Sequence, residues 1–190
     1  MQTEAGKKRF NVDEYYKMAG IGILRDGDRT ELIDGEVIEM SPMGVRHSSA
    51  VKRANAFLSR QLQGRAMLSV QLPVRLNAFN EPQPDLALLR PRKDFYELRH
   101  PGPADVLLIL EISDTSLQYE YDMKLRTYAA SRIPEFWVLD PVGAALLVFR
   151  EPSRGGYKTS LRYQDGDIVS MLAFPEIEIA LSALLGTTSD

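Results

Sequence analysis

The segment VLLILEISD, running from Val106 to Asp114, constrains the fold more than any other stretch of the chain. Five aliphatic residues lead straight into Glu111, and Ile112 resumes the apolar run. A run without polar alternation predicts a strand covered on both faces, and therefore a sheet with other elements packed on either side. An ionised carboxylate in such a strand loses much of its hydration energy unless a partner or a metal compensates. Either Glu111 is paired structurally, or its burial serves chemistry.

A chain of 190 residues can bury a full core and is expected to form one domain over residues 1–190, loose over the first ten. It contains no cysteine, which excludes disulfides and thiolate zinc sites. No apolar run is long enough to span a bilayer, and MQTEAGKKRFNVDEYY has no apolar segment behind its charges, so no signal peptide is expected and cytoplasm is the default location. The net charge of −3 argues against a protein that coats nucleic acid nonspecifically, since such binding needs many phosphate contacts. It leaves room for basic patches around an acidic site.

Local signals set the element order. Asn11 and Glu14 have capping-box spacing and predict a helix over VDEYYKMA, ended by Gly20 and Gly22. RTELIDGEVIEM predicts a hairpin that turns at Asp34-Gly35. After SPMG, a helix from about His47 to Gln63 buries a stripe of Val51, Ala54, Leu58 and Leu62, with Gly64 as its stop. AMLSVQLPVRLNA reads as a strand that Pro73 confines to an edge or an irregular position, and DLALLR as the next strand. PRKDFYELRHPGPA is polar, Pro-rich and expected to be exposed. Beyond the apolar strand, a helix from about Thr115 to Arg132 stops at Pro134. EFWVLD and ALLVFR form strands around Pro141-Val142-Gly143, a hairpin spans YKTSLRYQDGDIVSM, and a short helix over LSALL closes the chain. This order predicts a mixed α/β fold, a central mixed sheet flanked by α-helices.

Pro84-Asp85 opens DLALLR, and Glu111 closes the apolar strand. If these two strands pair, their carboxylates converge at one end of the sheet, as a hard divalent ion such as Mg2+ or Mn2+ requires. The bland alternative has Asp85 simply starting a strand and Glu111 paired with an arginine. Strand alternation sets Glu111 and Ser113 on one face, so further polar groups must come from elsewhere. Glu120, Lys124 and Tyr128 follow at four-residue steps along one helix face. Lys124 can orient water or stabilise a developing phosphate charge, yet a surface pair with Glu120 is the commoner use of that spacing. Glu31 and His47 alone would not be singled out. No Ser/His/Asp set, P-loop or Gly-rich dinucleotide turn occurs.

TELIDGEVIEMSPMGVRH, QPDLALL, LILEISDTS, the KLRTY helix and IPEFWVLDP follow one another in an order and spacing that resemble the Uma-type restriction endonuclease family. This family, also called domain of unknown function 820, belongs to the PD-(D/E)XK nuclease superfamily. The resemblance runs from about Thr30 to Pro141, more weakly to the C-terminus, and implies a restriction-endonuclease-like core. It assigns Asp85 and Glu111 as the two acids of the motif, Glu31 as an upstream glutamate, and His47 as the histidine after the Pro-x-Gly turn. Ser113 stands where the superfamily's usual lysine would be, and Lys124 on the next helix is the implied replacement, with Tyr128 one turn beyond. Glu120 replaces the family's usual aspartate, and Arg132 its usual glycine.

The resemblance implies a metal-dependent endonuclease acting on nucleic acid, DNA first. Asp85, Glu111 and the Ile112 carbonyl would hold Mg2+ or Mn2+, with Glu31 reaching it directly or through water. Lys124, His47 and Tyr128 complete the implied catalytic set. Arg46, Lys52 and Arg53, with Arg90, Arg92 and Lys93, are candidates to grip the phosphate backbone without reading sequence. A homodimer and the absence of a membrane partner complete the expectation. Two rivals stand beside it: a catalytically silent nucleic-acid-binding or protein-interaction module on the same fold, and a hydrolase of some other phosphodiester.

Overall fold

A computed structural model describes residues 6–25, 27–113 and 118–186, without the side chains of 118–120. Two expectations lie outside these residues: the looseness of residues 1–5 and the start of the third helix at Thr115.

Six strands form the central sheet: β3 (Met67–Val70), β4 (Leu86–Leu89), β5 (Val106–Ile112), β6 (Glu135–Asp140), β7 (Ala145–Ser153) and β8 (Gly156–Gln164), side by side in that order. Every neighbouring pair is antiparallel except β5 and β6, which run parallel. A parallel pair needs a crossover, and α3 (Gln118–Ala130) lies on it. The sheet is therefore mixed, as the element order predicts.

Alternation along these strands builds two cores. Leu86, Leu88, Leu108, Leu110, Ile112, Trp137 and Leu139 pack with Ala54, Leu58 and Leu62 of α2 (Val45–Leu62), and with Leu181 and Leu184 of α4 (Leu181–Leu185). On the other face, Ala87, Ile109, Phe136 and Val138 pack against Tyr128 and Ile133. The predicted stripe of α2 is buried as expected, and its chain reverses at Gln63, which adopts the left-handed conformation. Among the described residues no helix is long and apolar enough to cross a membrane.

The N-terminal elements clamp onto this frame. The capping box of α1 (Val12–Gly20) forms in both directions between Asn11 and Glu14. Strands β1 (Thr30–Ile33) and β2 (Glu36–Glu39) make the hairpin, with Asp34 at φ 51° and Gly35 at φ 75°. Gly35 also needs its bare Cα, because a Cβ there would lie 2.7 Å from the Arg9 Cβ. Leu32 bridges to Glu81, so the hairpin attaches just ahead of Asp85.

Two expectations need correction. The strand over AMLSVQLPVRLNA shrinks to β3; it is an edge strand, but Gln71 at φ 52° ends it before Pro73. The hairpin over YKTSLRYQDGDIVSM does not form. Instead β8 folds back on β7, while β9 (Ile168–Met171) pairs with β10 (Phe174–Ala180) in a separate two-stranded sheet. Burial decides between the two: Val169 and Met171 enter the core over α2 and α4, whereas β8 is largely exposed along the sheet edge.

Candidate active site

The register of β4 against β5 pairs Leu86 with Leu110. Carried one residue further, it sets Asp85 opposite Glu111. The Asp85 N–H donates to Glu111 Oε2 at 3.3 Å, and the Ile112 N–H donates to Asp85 Oδ2 at 2.9 Å. The two acids of the sequence motif are thus locked together through the backbone of adjacent strands.

Three further elements bring polar groups to this pair. His47, in the first turn of α2, sets Nε2 2.8 Å from Asp85 Oδ1, and Gln71 Nε2 donates to the same oxygen at 3.1 Å. Burial opposes the charge on Asp85, but His47, the Ile112 N–H and Gln71 outweigh it and hold the carboxyl below its ordinary value. From α3, Lys124 Nζ lies 3.1 Å from Glu111 Oε1, and the Tyr128 hydroxyl donates to that oxygen at 2.8 Å. From β1, Glu31 Oε1 meets Lys124 at 3.2 Å, while its Oε2 accepts the Gln83 N–H at 3.0 Å. Lys124 therefore bridges two carboxylates and is itself nearly enclosed.

The electrostatics of Glu111 differ from those of Asp85. Burial raises its carboxyl to about 7; Asp85 and Glu31 push the same way, and Lys124 and the Tyr128 hydroxyl only partly offset them. Burial also opposes the charge on Lys124, but Glu111 and Glu31 outweigh it and keep the ammonium protonated. Burial and Glu111 hold Tyr128 well above the ordinary phenol value, so it stays a hydrogen-bond donor.

A cavity of about 290 Å³ opens onto this network. Its wall comprises Asp85, Glu111, Ile112, Lys124, Glu31 and His47, with Arg29, Ile38 and the loop from Met40 to Gly44. The structure brings together Asp85, Glu111, Ile112, Lys124, Glu31 and His47 on the cavity wall, with Tyr128 bonded behind Glu111. The Glu120 side chain lies outside the described residues. Among the described residues no three His, Asp or Glu side chains form a metal cage; Glu31 faces the cavity and pairs with Lys124 at 3.2 Å.

The six candidate phosphate grips do not line the cavity. Arg53 donates to the Leu185 carbonyl and ties α2 to α4. Arg90 donates to the Ala104 carbonyl, and Arg92 pairs with Asp94. Arg46, Lys52 and Lys93 are exposed. Sequence reasoning missed two contributors, Gln71 and Arg29. The only signal for Arg29 was its place two residues before Glu31, on the same side of an extended chain.

The family model described as Uma2, "Putative restriction endonuclease", matches residues 12–182. The chain belongs to this family. A crystal structure of a "putative nuclease belonging to DUF820" from Anabaena variabilis ATCC 29413 superposes with a TM-score of 0.75 over 93% of this chain and 97% of that one. Its sequence is 16% identical, so the likeness establishes the fold. No curated protein matches the chain. In this Uma2 member Ser113 occupies the strand position after Glu111 and Ile112, and its N–H extends the ladder to the Leu139 carbonyl at 2.8 Å. Lys124 reaches the Glu111 carboxylate from α3.

Proposed function

We propose that the protein is a metal-dependent endonuclease that hydrolyses phosphodiester bonds of nucleic acid, DNA first, and that residues 1–190 act as one domain. The observation that carries this reading is the Asp85–Glu111 pair, joined across β4 and β5 and opening on a cavity that Lys124 also lines. The family description supports DNA as the substrate.

The donor set fits Mg2+ or Mn2+. Asp85 and Glu111 offer hard oxygen atoms, and such ions are commonly held by one or two carboxylates with water and substrate oxygens completing the shell. Asp85, Glu111 and Glu31 set three carboxylates around Lys124, an excess of negative charge that a divalent cation would compensate. The Ile112 carbonyl is a further candidate ligand, and Glu31 on the same wall would reach the ion directly or through water. Once bound, the ion supplies polarisation of a phosphate oxygen and acidifies a water.

The chain's own residues divide the other tasks. Tyr128 and Lys124 fix the Glu111 carboxylate, while His47 and Gln71 fix Asp85. Lys124, held by Glu31 and Glu111, presents its charge to the cavity, where it orients water and stabilises charge on the reacting phosphate. Hydrolysis joins a water oxygen to phosphorus and releases an ester oxygen, which takes up a proton. In this reading His47, on the cavity wall, donates that proton.

Plasmid cleavage with Mg2+ and Mn2+ tests the reading. Wild type is expected to cut only with metal, and Lys124→Met to lose on the order of 10²–10³ in kcat, the scale of removing one electrostatic stabiliser. An unaltered Lys124→Met rate would contradict the assignment. Binding of DNA with no product under any metal would favour the silent module.

A further inference from the structure

We propose that Arg29 binds the scissile phosphodiester, as the cavity-wall cation that has no carboxylate partner among the described residues. The inference rests on the nuclease reading of the same site and adds its substrate-holding residue.

The hairpin geometry sets the direction of this side chain. The Arg29 carbonyl accepts the Met40 N–H at 2.7 Å, which extends the β1–β2 pairing by one step beyond Thr30 and Glu39. Directly opposed residues of an antiparallel pair project to the same face. Arg29 with Met40 and Glu31 with Ile38 are two such pairs, and all four residues line the cavity. The neighbour Leu32 is fully buried and bridges Glu81, away from this face.

The charge inventory of the wall points the same way. Lys124 is committed to Glu31 and Glu111, and His47 to Asp85. Arg29 is half-buried, and among the described residues its guanidinium forms no hydrogen bond or ion pair, although three carboxylates share the cavity. A guanidinium held in a confined wall without a carboxylate partner suits a ligand that brings its own anion. Its planar fork matches two phosphate oxygens. The cavity, about 290 Å³, has room for one backbone unit rather than a base pair, so the contact positions substrate without reading sequence.

The test is calorimetric titration of thymidine 3′,5′-bisphosphate into the full chain, in Mn2+ buffer and in chelator, with wild type, Arg29→Lys, Arg29→Gln and Arg29→Met. Thermal melting reports folding of each variant. Wild type is expected to bind in Mn2+ buffer. Arg29→Met and Arg29→Gln should each bind about tenfold or more weakly, the loss of a charge-assisted hydrogen bond. Arg29→Lys should fall between, keeping the charge without the fork. Should Arg29→Met fail to fold, Arg29→Gln and Arg29→Lys decide. Equal affinity across the folded variants overturns the proposal, as does absence of binding by wild type in both buffers. DNA cleavage by the same wild-type preparation then shows separately whether the nuclease reading stands.

Discussion

Glu111→Ala and Asp85→Ala are each expected to abolish metal-dependent cleavage while leaving the chain folded. The loss should exceed the roughly 10–100-fold typical of outer partners of a metal site, because these side chains are the proposed ligands themselves. Folding should survive for a reason visible in the network. Without Glu111, Lys124 keeps its pair with Glu31, so no buried charge is left alone. The variant also removes a carboxylate whose ionisation burial opposes. Tyr128 loses its acceptor, at a cost of about 1–3 kcal/mol. Cleavage of plasmid DNA, read alongside a denaturation curve, checks both halves. Full activity in either variant would remove the carboxylates from the mechanism and with them both hydrolase readings.

Arg150→Met should lower the unfolding free energy by about 3–5 kcal/mol, the cost of leaving a buried charge without its partner. Glu135 is fully buried at the start of β6. Its Oε1 accepts from Arg150 Nε at 2.8 Å and Trp137 Nε1 at 2.9 Å, and its Oε2 from the Leu172 N–H at 2.7 Å. Arg150 also donates to the Ser170 carbonyl, so the pair fastens the β9–β10 ribbon to the central sheet. Adding Glu135→Met should restore only part of the loss. The buried charge disappears, but the Trp137 and Leu172 donors then lack an acceptor. Urea denaturation of the singles and the double measures this coupling, and strictly additive losses would contradict it.

Glu111 and Glu135 send nearly the same signal in the sequence, a lone acid at the border of an apolar strand. Their fates differ because of partners distant along the chain. Glu135 meets an arginine, an indole and a backbone N–H, and is fully buried. Glu111 meets a lysine shared with a second carboxylate, and it borders open space. Pattern alone identifies the burden on each strand; only the fold shows which acid is structurally answered. Asp85 and Glu111 were legible as a pair on the condition that their strands pair; the antiparallel register that sets them opposite was not. Lys124 and Tyr128 were legible as one helix face, but the direction of that face was not.

Other features were hidden by competition between local and distant signals. Asp165-Gly166 looks like the turn of a hairpin, and the chain does bend there, with Gly166 at φ 93°. Burial of Val169 and Met171 against α2 and α4 then draws β9 away from β8, which no turn residue encodes. The basic residues near both motifs suggested phosphate grips, yet Arg53 ties α2 to α4 and Arg92 pairs locally with Asp94. Arg29 shared a strand face with Glu31, but its place on the cavity wall depends on the hairpin docking beside Asp85.

The most direct test of the central claim is a calorimetric titration of Mn2+ into wild type, Asp85→Ala and Glu111→Ala. The account predicts saturable binding at one site per chain in wild type and none in either variant. Undiminished binding in both variants, or no binding by wild type with and without a DNA oligonucleotide, would contradict it and leave Glu111 as a buried carboxylate paired with Lys124.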